Sequence, residues 1–145
     1  ETFDLSERLP AICEPYQLIA KAKEIDFTFS IQGKCPVHTS KKSLEKILSN
    51  LLSNAVSYTK PGCKITVLLT ARQIKIENEC TPIPPDKLAH VFEPFYRPDF
   101  ARDRKDGGNG LGLYIVDTLS KALGLPYQFE ATKNPPGMCF TLYLP

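Results

Sequence analysis

No stretch of this 145-residue chain approaches the roughly 18 consecutive apolar residues of a membrane-spanning helix, so none is expected. Net charge is nearly absent: 18 Lys and Arg face 16 Asp and Glu, and +2 excludes nucleic-acid binding driven by bulk positive charge. There is no CxxC motif. Cys13, Cys35, Cys63, Cys80 and Cys139 are odd in number and scattered, which points to a reducing compartment and small packing roles rather than a metal site. The two histidines, His38 and His90, are too few and too far apart to suggest a ligand set and are expected at the surface or in packing. No signal peptide is visible, and the start at Glu1 reads as a cut inside a longer protein. Apolar content of 42% and charged content of 23% are ordinary, and the length suits a single domain spanning 1–145.

What the chain does have is a glycine-rich run, Gly107 to Gly112, that passes without a break into an apolar helical pattern. Leu111, Ile115, Leu119, Ala122 and Leu123 recur at helical spacing, which puts Gly107, Gly108, Gly110 and Gly112 at a helix N-terminus. There the first backbone N–H groups lack intrahelical partners, the helix dipole favours anions, and the missing Cβ atoms let a ligand approach the backbone. A phosphate group fits. A flexible loop entering a core helix fits as well, and the run alone leaves both open. A P-loop is excluded, because Leu111 and Leu113 stand where Lys followed by Ser or Thr is needed. A dinucleotide fingerprint is excluded, because the charged segment 97–106 is no buried strand.

The remaining pattern predicts a short strand at 3–5, then a helix capped by Ser6, with Pro10 in its first turn, running to about Glu24. Phe27 to Ile31 alternates as a strand, Gly33 to His38 is a turn with a short extended piece, and Thr39 or Ser40 caps a helix to about Tyr58. Lys64 to Ala71 and Gln73 to Asn78 read as an antiparallel hairpin, and Pro85 to Phe92 as a short helix. Residues 95–109 carry Pro, Asp, Arg, Lys and Gly with little periodicity and read as a mobile loop. Gly110 to Leu123 is a helix, and Tyr127–Ala131 with Met138–Leu144 a closing strand pair. The expected fold is α+β: a two-layer sandwich with a mixed, mainly antiparallel sheet covered on one face by about three helices.

The helix after Ser40 carries a second constellation. Leu44, Ile47, Leu48, Leu51, Leu52 and Ala55 form one apolar stripe, and at 100° per residue Asn50, Asn54 and Tyr58 line one edge of it. Asparagine is a mediocre helix former, so two at i, i+4 invite an explanation. Their amide oxygens can bind Mg²⁺ directly or through water, leaving phosphate oxygens to supply negative charge. Equally, both amides can cap neighbouring loops.

Together the two constellations resemble sensor histidine kinases. Asn50 to Tyr58 (NLLSNAVSY) resembles their N box, Phe92 to Arg97 (FEPFYR) their F box, and Gly108 to Leu113 (GNGLGL) their second glycine box. Gly137 to Phe140 and the closing strand resemble their final box. The order and spacings agree over residues 2–145, and the chain is similar in particular to the vancomycin-resistance group. The resemblance implies the GHKL (Bergerat) ATP-binding fold shared with Hsp90, gyrase B and MutL. It implies ATP and Mg²⁺ as ligands, with Asn54 and Asn50 at the metal and phosphates as catalytic and metal residues, and Tyr58 beside them. Asn78 would face the adenine amino group, and Ile83 and Leu113 would pack near the base. Backbone around Gly108, Gly110, Leu111 and Gly112 would meet the phosphates. Residues 96–109 would close as a lid whose base Phe92 and Phe95 anchor in the core.

Two departures stand out. The first glycine box of such kinases reads Asp-x-Gly-x-Gly-Ile, and here Asn78, Cys80 and Pro82 replace the acid and both glycines ahead of Ile83. An Asn oxygen can still accept from an amino group, without charge assistance. Ser57 stands where many relatives place a lysine, and Arg97, Arg102, Arg104 or Lys105 could compensate. Neither His38 nor His90 sits in a His-Glu or His-Asp acceptor motif. The resemblance therefore implies the catalytic half of a kinase. Its partners would be its own dimerisation and histidine phosphotransfer domain and a downstream response regulator. The full-length protein would be a homodimer, with this domain cytoplasmic, membrane attachment only through missing N-terminal segments, and no nucleic acid as partner. A serine kinase of the same superfamily acting as an anti-sigma factor, or a degenerate nucleotide-binding interaction module, are the alternatives.

Overall fold

A computed structural model describes residues 1–96 and 112–145. Its elements run β1 (Thr2–Asp4), α1 (Leu5–Ala22), β2 (Asp26–Ile31), β3 (Pro36–His38), α2 (Lys41–Tyr58), β4 (Lys64–Leu69) and β5 (Gln73–Glu79). They continue with α3 (Pro85–Leu88), α4 (Gly112–Leu123), β6 (Tyr127–Lys133) and β7 (Pro136–Tyr143). Among the described residues five strands form one sheet in the order β2-β4-β5-β7-β6, and β1 pairs with β3 in a separate two-stranded ribbon. Only β2 and β4 run parallel in the larger sheet; the other three pairings are antiparallel. The expected α+β sandwich with a mixed, mainly antiparallel sheet is therefore what the chain forms.

Register decides which side chains meet the helices. Val67 pairs with Ile76, Ile76 with Phe140, and Phe140 with Phe129, so one row crosses four strands on one face. That face, with Ile65, Leu69, Ile74 and Leu142, is buried with Leu5, Leu9, Ile12 and Cys13 of α1 and Val116 of α4. It also meets the α2 stripe of Leu44, Ile47, Leu48, Leu51, Leu52, Ala55 and Val56. The opposite face of β4 and β5 shows Lys64, Thr66, Lys75 and Glu77 outside the core, the alternation expected of a sheet packed on one side. Asn78 belongs to the helix-facing set, because it pairs with Ile65 on one side and Met138 on the other.

Several local expectations need correction. The cap of α1 is Asp4, not Ser6: its carboxylate accepts from the Ser6 backbone N–H at 3.0 Å, the Ser6 hydroxyl at 2.7 Å and the Cys35 N–H at 2.9 Å. The cap thus also ties down a distant loop, which local pattern cannot reveal. Pro10 consequently lies beyond the first turn. The helix expected at Pro85–Phe92 stops at Leu88. Beyond it Phe92 leaves helical geometry to pack against Tyr127 and Phe129, with ring centroids 5.0 and 5.9 Å away. Phe95 is not anchored in the core. It is 70% exposed and adopts φ of 66°, a left-handed turn conformation uncommon for a bulky residue. The Ser40 cap, by contrast, is as expected, its hydroxyl accepting from Ser43 N–H at 3.2 Å. The expected lid, apart from Tyr96, and the Gly110 helix start fall outside the described residues.

Candidate nucleotide site

Helix α2 positions the first cluster. Its apolar stripe fixes the rotation of the helix on the sheet, and that rotation carries Asn50 and Asn54 to a half-buried edge beside α4. The Asn50 amide Nδ2 donates to the Lys46 carbonyl at 2.9 Å, which turns its Oδ1 outward from α2. A Cβ at Gly112 would lie 3.6 Å from that oxygen and 3.9 Å from the Asn54 Oδ1. Two amide oxygens on consecutive turns of α2 therefore converge on Gly112 in α4. Neutral oxygens of this kind suit a hard cation that keeps its charge for anionic oxygens. Helix N-terminal N–H groups suit the anion itself. Tyr58, one turn beyond Asn54, is half-buried.

The second cluster sits where α2 ends. Thr59, fully buried, donates its hydroxyl to the Ala55 carbonyl at 2.6 Å and accepts from the Asn78 Nδ2 at 3.2 Å. Gly137 of β7 makes this possible from the other side. A Cβ there would fall 2.2 Å from the Asn78 carbonyl oxygen, so no other residue lets β7 approach β5 this closely. Met138, which pairs with Asn78, accepts the Ile83 N–H on its sulfur at 3.4 Å, and so draws Ile83 to the same end of β5. Burial pushes the Cys80 thiol above its ordinary value, opposed by hydrogen bonds from the Asn78 side chain and the Met138 backbone, and the thiol stays neutral at neutral pH. At 1.5 Å per residue, Asn54 and Asn50 lie about 8 and about 13 Å from Thr59 along the α2 axis.

Of the residues singled out from sequence, the structure groups Asn50, Asn54 and Gly112 at one end and Asn78 with Ile83 at the other. Leu113 packs against the hydrophobic core. Arg97, Gly108, Gly110 and Leu111 lie outside the described residues. Thr59 and Gly137 were missed as site residues. Thr59 falls just beyond the end of the helix expected to about Tyr58, and nothing local marks a hydroxyl that will meet a strand 19 residues later. His38 bonds Thr2 at 2.8 Å and His90 pairs with Glu93 at 2.6 Å, both at the surface. All five cysteines are free, and no group of metal-ligating His, Cys, Asp or Glu occurs among the described residues. Nor is any described helix long and apolar enough to cross a membrane.

A family model described as histidine kinase-, DNA gyrase B- and HSP90-like ATPase matches residues 39–145. The chain belongs to this ATPase family. The sensor histidine kinase CusS of Escherichia coli O157:H7 is 33% identical over 146 residues, covering 98% of this chain and 30% of that protein. The sensor protein VanSB of Enterococcus faecalis is 32% identical over 149 residues, covering all of this chain and 33% of that protein, in line with the vancomycin-resistance likeness. Among solved structures, the mycobacterial sensor histidine kinase MprB superposes with a TM-score of 0.81 at 25% identity, covering 100% of this chain and 97% of that one. The chain thus spans about a third of the length of these curated relatives. It is a family member whose relatives are sensor histidine kinases.

Proposed function

We propose that this domain binds Mg·ATP between α2 and α4 and donates the γ-phosphoryl group to a histidine on a separate dimerisation domain of a two-component sensor kinase. The observation that carries the proposal is the convergence of the Asn50 and Asn54 amide oxygens, 3.6 and 3.9 Å from a Cβ position at Gly112. Phosphoryl transfer asks a protein mainly to position groups and neutralise charge. Asn54, assisted by Asn50, would hold Mg²⁺, which when bound supplies positive charge to the phosphate oxygens. The donor chemistry of the two amides fits that ion. Tyr58 contacts the nucleotide beside them. Backbone N–H groups at Gly108, Gly110, Leu111 and Gly112 and the Arg97 guanidinium face the phosphates. At the far end Asn78 accepts from the adenine amino group, with Ile83 and Leu113 toward the base. The acceptor histidine lies outside this chain, because neither His38 nor His90 belongs to an acceptor motif, and the base that activates it is assigned to the acceptor domain, because the sequence offers no candidate for that role here.

In this reading residues 1–145 are one catalytic domain of a longer, membrane-anchored, homodimeric kinase, on the cytoplasmic side, whose phosphoryl group passes on to a response regulator. The test is radiolabelled ATP with the chain alone and with the separately produced dimerisation domain of its parent kinase. Acid-labile, base-stable label should appear on the added domain and not on His38 or His90. Stoichiometric label on either of those histidines would overturn the assignment, and acid-stable phosphoserine on an added partner would instead mark the serine-kinase alternative.

A further inference from the structure

Asn78 stands where the resemblance calls for a carboxylate, and the two groups differ in one respect that matters here. A carboxylate accepts from both oxygens, whichever way it turns. A carboxamide accepts from one side and donates from the other, and a 180° rotation exchanges them. An amide at this position therefore recognises an amino group only if something prevents that rotation.

Thr59 supplies the restraint. Its hydroxyl lies 2.6 Å from the Ala55 carbonyl, an atom that can only accept, so the single hydroxyl proton is committed there. What remains toward Asn78, 3.2 Å away, is a lone pair, and only the Nδ2 side of the amide can meet it. Thr59 has no exposed surface, so water does not offer the reversed amide a substitute partner. Gly137, pressed against the Asn78 backbone, keeps the strand from shifting to relieve the pair.

We infer that Thr59 is a positioning residue that fixes the polarity of the Asn78 amide, with Oδ1 left as the acceptor, and so makes a neutral side chain select adenine over guanine. The inference rests on the proposed nucleotide site, and on Asn78 facing the base within it. Adenine carries an amino donor at C6 and guanine a carbonyl acceptor, so the fixed amide matches the first and opposes the second. Released from Thr59, the amide can turn to meet either base.

The experiment is isothermal titration of the parent chain, Thr59→Val, Thr59→Ser and the double variant Thr59→Val/Asn78→Asp with Mg·AMP-PNP and Mg·GMP-PNP, with thermal unfolding of each. The parent should prefer the adenine analogue, and Thr59→Val should reduce that preference about tenfold, the scale of one buried hydrogen bond. Thr59→Ser should keep the preference, and the double variant should regain it, because a carboxylate needs no orientation. Loss through packing alone would not be repaired by Asn78→Asp. An unchanged preference in Thr59→Val, or no recovery in the double variant, overturns the inference while leaving nucleotide binding in place. A parent that binds neither analogue overturns the nucleotide site and the inference with it. Should Thr59→Val not fold, side-chain amide NMR of the ligand-free parent decides. The Asn78 NH₂ protons should exchange markedly more slowly than those of surface asparagines, and exchange at the surface rate overturns the inference.

Discussion

The two residue clusters along α2, one beside Gly112 and one at Asn78, are built on different principles. At the Gly112 end, two asparagines from one helix turn their oxygens toward a neighbouring helix, and spacing along a single element sets the geometry. At the Asn78 end, a strand, a helix terminus and a glycine from a third element each hold one coordinate of a single amide. The first end is modular: it needs α2 and α4 to dock and little else. The second is assembled, and moving any one of its three supports moves the amide. Chemistry that tolerates only charge and distance can rest on the former, whereas discrimination between two similar bases needs the latter.

The comparison can be broken most forcefully at the modular end. Asn54→Ala should lower phosphoryl transfer about a hundredfold or more, the scale seen when one preorganised polar group is removed from a reacting centre. The melting temperature should barely move, because Asn54 sits at the edge of the apolar stripe and its truncation opens no core cavity. A variant that unfolds yet binds nucleotide normally per folded molecule would show that Asn54 is structural. Next in size is Gly137→Ala, whose Cβ would collide with a backbone oxygen. It should cost about 1–3 kcal/mol in urea unfolding, the range for overpacked sites, and weaken adenine-nucleotide binding beyond what the unfolded fraction explains. Equal loss for inorganic triphosphate would erase the distinction between the ends. A smaller change is expected from Asn78→Asp, which should bind Mg·AMP-PNP at least as well as the parent by titration. A large loss would remove Asn78 from the base contact. The smallest effect belongs to Asp4, remote from both ends. Its carboxyl is held below its usual value, chiefly by the Ser6 hydroxyl and then by the Cys35 N–H. Its contribution to stability is therefore complete above the ordinary carboxylate range and is lost as pH falls through the lowered value. Asp4→Ala should flatten that part of the acid-unfolding profile and leave nucleotide titrations unchanged.

Legibility followed the same division. The α2 stripe, the Ser40 cap, the β4–β5 hairpin and the Asn50–Asn54 edge are repeats within one element or across one turn, and periodicity reports them directly. Asn78 was noticed only because it departs from a resemblance. Its partner Thr59 was not noticed, because the bond joins residues 19 apart across two layers. The Asp4 cap was missed for a related reason: Ser6 satisfies the local rule equally well, and the deciding Cys35 N–H arrives from 31 residues away. Phe95 misled because an apolar side chain favours burial on average, whereas its backbone here turns through a left-handed conformation that leaves the ring outside.

The register of β5 against β7 has a kinetic consequence. Strands β4 and β5 are joined by three residues and β6 and β7 by two, so each hairpin closes locally. Their seam, Gln73 to Glu79 against Tyr143 to Gly137, closes a loop of more than fifty residues at its shortest. Contacts of that sequence separation carry the larger closure entropy and slow folding. Asn78 and Gly137 lie at one end of that seam, so the Asn78 amide acquires its surroundings only when two preformed hairpins dock, while Asn50 and Asn54 already sit on a continuous helix.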